Sequence, residues 1–157
     1  MDEVQSPTLS KVRSPAMTTV YEAFRHPVFI REHHLDTFGH VNNAVYFELL
    51  EEARWEFTSQ HGYGLKDVQR LGVGPTILEW NVKFRREIRL RERIIIESQL
   101  LTYDKKIGTL KQVMFNEKEE LCFEGIMTFG LFDMRERKLI LPTPEWLYAI
   151  GAGPKPS

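Results

Sequence analysis

The alternation of apolar and polar residues predicts one long amphipathic helix, from Asn43 to Gln60. Its apolar side chains recur at spacings of four, three and four residues, which places them on one helix face: Tyr46, Leu50, Ala53 and Phe57. Asn42 or Asn43 can cap the start of the helix, and Gly62 suits a left-handed cap at its end. Both ends of the helix are therefore marked in the sequence.

Strands are predicted on both sides of this helix. Apolar and polar residues alternate in residues 20–34, and four further strands are expected at residues 76–84, 91–103, 108–115 and 121–132. In the last strand the alternation places Phe123 on the core face and Cys122 on the opposite face. Residues 64–70 predict a short helix, which the Gly-Val-Gly-Pro segment at 72–75 is expected to break.

The order of these elements predicts the fold class. Short turns favour antiparallel neighbours, and one helix with a single apolar face needs a broad surface to cover it. We therefore expect an α+β fold in which an antiparallel sheet wraps around one long central helix. The open sheet edges make pairing with another copy of the chain expected.

Residues 1–18 are predicted to be a flexible arm, residues 19–150 one domain and residues 151–157 a flexible tail.

Composition narrows the possible functions. The 157 residues are 42% hydrophobic and 27% charged, as in a single globular domain. Because 21 Lys and Arg oppose 22 Asp and Glu, the chain lacks the basic excess of a nucleic-acid-binding protein. The single cysteine, Cys122, excludes an intrachain disulfide and is consistent with the cytoplasm. No apolar run approaches the roughly 20 residues that span a bilayer, so membrane insertion is not expected.

The turn before the helix concentrates side chains that can do chemistry. Asp36, His40, Asn42 and Asn43 fall within eight residues, and Gly39 permits close approach of the backbone. The turn leads into a helix N-terminus, whose free N–H groups stabilise an oxyanion. A carboxylate there can act as a nucleophile or a general base. The alternative is that Asp36 and Asn42 only satisfy turn and cap hydrogen bonds.

Two segments carry a family resemblance. Residues 36–46 read DTFGHVNNAVY and residues 50–54 read LEEAR, which together resemble the signature of hot-dog-fold acyl-CoA thioesterases of the 4-hydroxybenzoyl-CoA thioesterase type. The resemblance covers about residues 20–135. It implies a homodimer or homotetramer that hydrolyses an acyl-CoA or acyl-carrier-protein thioester to free acid and thiol. It also implies no cofactor, since CoA is part of the substrate.

The resemblance assigns catalytic roles to four residues. Asp36 matches the family's catalytic carboxylate, and His40 and Asn42 follow it with roles that vary within the family. Glu51 matches a helix carboxylate that is the base in related enzymes; the alternative is an ordinary ion pair with Arg54. For His40 the alternative is a structural role in capping the helix.

Other residues are predicted to bind substrate. Backbone N–H groups near the thioester carbonyl would come from Gly39 to Asn43, and two aromatic residues could line the acyl channel. An arginine-rich segment after the second strand could bind CoA phosphates or an acidic carrier protein; the alternative is a charged sheet edge in solvent. The predicted substrate-binding residues are Gly39, Val41, Asn43, Tyr46, Phe47, Arg85 and Arg86.

Two other functions stay open. One is a hot-dog hydratase or dehydratase that acts on enoyl or hydroxyacyl thioesters, and the other is a non-catalytic subunit that binds acyl thioesters. A metal site is not expected, because His33 and His34 would point to opposite faces if the segment is a strand. Cys122 has no neighbouring histidine or helix N-terminus in the sequence and is not expected to be a nucleophile.

Overall fold

A computed structural model describes residues 20–157, and the predicted arm at 1–18 lies outside them. Nine helices and strands follow one another in this part of the chain, with one short 3₁₀ turn, Glu32–His34, after the first strand. In order they are β1 (Ala23–Phe29), α1 (Asn43–Gln60), α2 (Leu65–Leu71), β2 (Val73–Phe84), β3 (Arg93–Asp104), β4 (Ile107–Phe115), β5 (Leu121–Asp133), β6 (Lys138–Ile140) and α3 (Pro144–Ala149).

The strands form one antiparallel sheet in the order β1-β3-β4-β5-β2. The short strand β6 pairs with the last residues of β5, beyond the residues of β5 that pair with β4. Helix α1 packs against this sheet through a buried cluster that joins Leu50 and Ala53 to Ile96, Met114 and Phe123. The predicted α+β fold, with the sheet wrapped around one long helix, is confirmed.

Helix α1 begins and ends where the sequence predicts. Asn42 is its N-cap, and the Asn42 side-chain oxygen accepts the backbone N–H of Ala44 at 2.9 Å. Gly62 follows the helix with a φ of 80°, which favours glycine. The four residues predicted on the apolar face are all buried, and Leu49 and Thr58 widen the buried face.

The sheet and its surroundings differ from the predictions in three places. Strand β2 begins at Val73 and includes Gly74 and Pro75, because Gly72 ends α2 and Val73 pairs at once with Asp133. Pro75 is tolerated because β2 is an edge strand. Strand β6 and helix α3 were not predicted, because they are only three and six residues long and too short for a periodic signal.

Two side-chain placements also differ from the predictions. His33 and His34 lie in the 3₁₀ turn rather than in a strand, and their rings are 4.1 Å apart instead of on opposite faces. Cys122 is completely buried in the same cluster as Phe123. Its burial follows from a bulge in β5, where Met114 pairs with Phe123 and Phe115 with Leu121, so that Cys122 has no partner across the ladder.

The predicted tail begins with a packed turn. The N–H of Ala152 donates to the carbonyl of Leu147 at 2.7 Å, and Ala152 contacts a second buried cluster that includes Trp146. The domain boundary at residue 150 stays a prediction. In residues 20–157, no helix has the length and apolar character needed to cross a membrane.

Candidate functional site

The turn from Asp36 to His40 is held by its own hydrogen bonds. Asp36 Oδ1 accepts the N–H groups of Phe38 at 2.9 Å and His40 at 3.2 Å, and the N–H of Asp36 donates to the His40 carbonyl at 2.8 Å. Gly39 takes a φ of 80°, and its own N–H donates to the Asp36 carbonyl at 3.2 Å. The local sequence therefore folds into a closed turn with the half-buried carboxylate of Asp36 at its base.

Two further contacts fix this turn against the rest of the protein. The N–H of Val41 donates to the carbonyl of Ile88 at 3.0 Å, and the N–H of Asn42 donates to the carbonyl of His34 at 2.9 Å. The predicted backbone donors Gly39 and Val41 therefore already have acceptors. By contrast, the N–H of Asn43, the first residue of α1, has no acceptor within residues 20–157.

A crevice of about 370 Å³ opens beside the turn. Phe84 and Glu87, which the sequence analysis did not single out, also line it. It brings together seven of the predicted site residues: Asp36, His40, Val41, Asn43, Tyr46, Arg85 and Arg86.

Tyr46 forms the inner wall of the crevice. Its ring stacks on Phe123 with centroids 5.4 Å apart and meets the edge of Phe84 at 5.0 Å. Burial raises the pKa of the Tyr46 hydroxyl to about 12. At neutral pH this hydroxyl is therefore uncharged and can donate a hydrogen bond.

An acidic side chain faces His40 across the crevice. The Nε2 atom of His40 lies 3.3 Å from Glu87 Oε2, and Arg89 Nη2 lies 2.9 Å from the same oxygen. The hydrogen bond from Arg89 holds the pKa of Glu87 below its usual value. Glu87 is therefore a charged neighbour of the site. The sequence marks it only by its position in the charged segment that contains Arg85 and Arg86.

The two predicted phosphate-binding arginines are ion-paired with β5 and its preceding turn. Arg85 Nη2 lies 3.1 Å from Glu124, and Arg86 Nη2 lies 2.8 Å from Glu120. Both arginine side chains are about half exposed. Each guanidinium carries five N–H donors, so these pairs leave donors that can reach a ligand in the crevice.

Glu51 and Phe47 lie apart from this crevice. Glu51 lines a second cavity of about 120 Å³, and its Oε1 accepts from Trp55 Nε1 at 3.4 Å. The alternative ion pair with Arg54 does not form in the described chain; Arg54 Nη1 donates to Gln112 Oε1 at 2.9 Å instead. Phe47 packs edge-on against Trp80 at 5.8 Å. The structure therefore separates the two candidate catalytic carboxylates, Asp36 and Glu51.

Two further kinds of chemistry were considered in the sequence, metal binding and a cysteine nucleophile. Residues 20–157 contain no group of three or more His, Cys, Asp and Glu side chains that could hold a metal ion. Burial raises the pKa of the Cys122 thiol, which favours the unreactive protonated form.

Comparisons with known proteins identify the family. The family model of the thioesterase-like superfamily matches residues 30–150. The chain therefore belongs to the thioesterase-like superfamily. The long-chain acyl-CoA thioesterase FadM of Escherichia coli is similar, with 32% identity over 112 residues, 71% of this chain and 84% of FadM. The predicted thioester hydrolase is confirmed at the level of the family.

Solved structures agree with this assignment. The probable thioesterase YbaW of Escherichia coli superposes with a TM-score of 0.72 at 28% identity, covering 81% of this chain and 98% of YbaW. SAV2348 of Staphylococcus aureus, solved in complex with CoA, superposes with a TM-score of 0.77 over 88% of this chain and 90% of its own. Its 17% identity shows the shared fold alone. The predicted hot-dog fold is confirmed.

Proposed function

We propose that this chain hydrolyses the thioester bond of acyl-CoA in the crevice beside Asp36, releasing free acid and CoA. The observation that carries the proposal is the position of Asp36, whose Oδ1 is held in the turn while Oδ2 accepts no hydrogen bond from residues 20–157. A carboxylate oxygen without a partner, next to a helix N-terminus, suits attack on a carbonyl carbon or activation of water.

The chemistry needs a donor for the developing oxyanion. The N–H of Asn43 supplies it, because Asn43 opens α1 and lines the crevice, and its N–H has no acceptor in the described chain. The α1 dipole adds positive potential at the same place. His40 reaches the crevice and can transfer a proton to the leaving thiolate. Asn42 caps the helix and so positions Asn43, while Gly39 takes the positive φ that closes the turn before it.

The substrate is an acyl-CoA with a long acyl chain. FadM, which is named for long-chain acyl-CoA, supports the chain length, and the CoA complex of SAV2348 supports the carrier. Arg85 and Arg86 would contact the CoA phosphates through their remaining donors. An acyl carrier protein is the second candidate carrier, because ATL3 of Arabidopsis thaliana, an acyl-acyl carrier protein thioesterase, is 32% identical over 71 residues, 37% of its length.

The motif at 36–46 further supports membership of the 4-hydroxybenzoyl-CoA thioesterase type within the superfamily. No cofactor is needed for this hydrolysis. The single cysteine, Cys122, is free, which suits a reducing compartment such as the cytoplasm.

Self-association is part of the proposal. Strand β2 is an edge strand of twelve residues, and it exposes Ile77, Leu78 and Phe84 by 45%, 49% and 51%. An exposed apolar edge of this length is a pairing surface. Pairing of β2 with a second copy would give a homodimer, and two such dimers a homotetramer. Phe84 also lines the crevice, so the partner would approach the proposed site.

Thiol release from a panel of short, medium, long and aromatic acyl-CoAs tests the function. Wild type, Asp36→Asn and Glu51→Gln are compared side by side, because the structure places the two carboxylates in different cavities. Release by wild type that is lost in Asp36→Asn and retained in Glu51→Gln is the expected result. Loss in Glu51→Gln alone would move the chemistry to the second cavity, and no release from any substrate would contradict hydrolysis of acyl-CoA.

A further inference from the structure

The second cavity lies between the C-terminal half of α1 and the sheet. Its volume of about 120 Å³ is near that of an engineered cavity of about 150 Å³ that binds benzene. Its walls are mostly apolar and include Phe57, Leu110, Met127 and Phe129, with Ile77 from strand β2. A space of this size and lining suits the end of an acyl chain rather than a nucleotide.

One wall of this cavity carries a cation. Arg54 is partly buried and lines the cavity, and burial lowers the pKa of its guanidinium to about 10. Its Cζ lies 5.5 Å from the centre of the Trp80 ring. Within residues 20–157 no carboxylate lies within ion-pair distance of Arg54, and its one hydrogen bond goes to Gln112. Most of its N–H donors are therefore free to bind an acceptor.

A buried network holds this guanidinium in place. Gln112 is completely buried, and its Nε2 donates to the Leu50 carbonyl at 3.0 Å and to Ser98 Oγ at 2.9 Å. Both donor directions of the amide are thereby used, which turns Oε1 toward Arg54 Nη1. Ser98 is also completely buried. The sheet thus fixes the guanidinium at the cavity wall before any ligand arrives.

The cavity lies along α1 from the crevice that holds Asp36. Asn43, in the crevice, and Arg54, in the cavity, are eleven residues apart on α1, or roughly 16 Å along its axis. Phe47 and Glu51 lie between them, at successive four-residue steps from Asn43 on the same flank of the helix. A long acyl chain whose carbonyl lies at Asn43 has the length needed to span the distance to Arg54.

We propose that Arg54 selects acyl groups that carry a neutral oxygen, a hydroxyl or an oxo group, toward the far end of the chain. The inference rests on the proposed thioesterase function and adds a substrate class to it. A plain alkyl chain would exclude water from the guanidinium and accept none of its N–H groups. Burying these donors without acceptors is unfavourable. A hydroxyl or oxo oxygen accepts their hydrogen bonds. A second carboxylate is disfavoured, because Glu51 already supplies a negative charge among the residues that line the cavity.

Matched substrates test this selection in the wild-type protein. Hexadecanoyl-CoA is compared with ω-hydroxyhexadecanoyl-CoA and with the corresponding dicarboxylic thioester, and kcat/KM is measured for each. A charged hydrogen bond of the usual strength predicts that kcat/KM for the hydroxy substrate is about tenfold to a hundredfold higher. Equal values for the hydroxy and plain substrates would overturn the proposal, and a preference for the dicarboxylic substrate would overturn the choice of a neutral oxygen.

Variants test whether Arg54 is responsible. Arg54→Met and Arg54→Lys are expected to lose most of the preference for the hydroxy substrate, while Gln112→Met, which removes the positioning group, lowers it in part. Arg70→Met is the matched control, because Arg70 is an exposed arginine on α2 that pairs with Asp67. A preference that survives in both Arg54 variants would overturn the assignment. If the variants do not fold, the wild-type comparison still decides whether the selection exists.

A failure of the proposal for Arg54 can be told apart from a failure of the proposed hydrolysis. If wild type hydrolyses none of the three thioesters, the hydrolysis proposal fails, and calorimetric binding of the same thioesters to wild type replaces kcat/KM as the readout. Tighter binding of the hydroxy compound would then support the role of Arg54. Equal binding, or no binding, would overturn it.

Discussion

Asp36 and His40 are joined by two hydrogen bonds across the turn that precedes α1. The His40 N–H donates to Asp36 Oδ1 at 3.2 Å, and the Asp36 N–H donates to the His40 carbonyl at 2.8 Å. The two oxygens of the Asp36 carboxylate therefore differ, since Oδ1 maintains the turn and Oδ2 is free of partners in the described chain. Structural and catalytic roles of one residue can thus be separated by substitution.

Asp36→Asn is expected to lower activity strongly without opening the turn. The amide oxygen of asparagine can still accept the N–H groups of Phe38 and His40, but the amide is neither a nucleophile nor a base. We expect kcat to fall about a hundredfold to ten-thousandfold, with little change in the melting temperature. Acyl-CoA hydrolysis and thermal unfolding measure the two effects.

Asp36→Ala is the control for the structural role. It removes the acceptor of two N–H groups and should lower the free energy of unfolding by about 1 to 3 kcal/mol. Near-normal hydrolysis by Asp36→Asn would contradict the catalytic assignment, and equal melting temperatures for the two variants would contradict the structural one.

The contact between His40 and Glu87 is expected to couple the two residues in catalysis. Nε2 and Oε2 are 3.3 Å apart, and the two side chains are 35% and 51% exposed, so the interaction is screened by water. A double-mutant cycle of His40→Asn and Glu87→Gln on kcat/KM should give a coupling of about 0.5 to 1 kcal/mol. Additive effects would show that Glu87 does not act on His40. Glu117→Gln, which alters an exposed glutamate paired with Arg93, is the matched control.

The sequence was sufficient to predict helix α1 and the Asp36 turn, because both depend on residues that are close together in the chain. The four-three-four spacing of Tyr46, Leu50, Ala53 and Phe57 requires only that one helix face be buried, and all four are. The turn lies within eight residues and leads directly into its own helix cap. Local periodicity and turn chemistry therefore predicted the position of the carboxylate.

Contacts between distant residues could not be predicted in this way. Glu87 reaches His40 across 47 positions, and Gln112 reaches Arg54 across 58. The ion pair expected from helix spacing between Glu51 and Arg54 does not form, because the sheet offers Gln112 as an acceptor. Tertiary packing decides which of several possible partners a long side chain takes. The cavity beside Arg54 therefore had no signal in the sequence.

His34 is expected to make the fold less stable at acidic pH. Burial, and then the charge of His33, lower the pKa of His34 below its usual 6.5, and His34 Nδ1 accepts the Arg31 N–H at 2.9 Å. Glu48 and Glu52 oppose this shift only in part. As the pH falls below about 6.5, the unfolded chain binds the proton first, so the free energy of unfolding decreases.

His34→Asn tests this pH dependence, because asparagine keeps an acceptor for the Arg31 N–H but cannot take up a proton. Between about pH 7.5 and pH 5.5 the variant should lose less stability than wild type, measured by urea denaturation. Parallel curves for the two proteins over this range would contradict the assignment to His34.

Leu78→Lys is expected to weaken self-association. Leu78 is 49% exposed on β2, at a bulge where the pairing with β5 shifts between Ile77 and Glu79. A lysine there places a charge on the edge that we propose to pair with a second copy, and charged side chains block such pairing. Sedimentation velocity should show a dimer for wild type and at least a tenfold weaker dimer for the variant, on the order of 1.4 kcal/mol.

Leu141→Lys is the matched control, because Leu141 is 60% exposed but lies after β6, away from the β2 edge. It should leave the dimer unchanged. Because Phe84 joins the β2 edge to the crevice of Asp36, acyl-CoA hydrolysis by Leu78→Lys should fall at low protein concentration and recover as the concentration rises. Activity that is independent of concentration in a monomeric variant would show that one chain completes the site alone, and would contradict the proposed part of the partner.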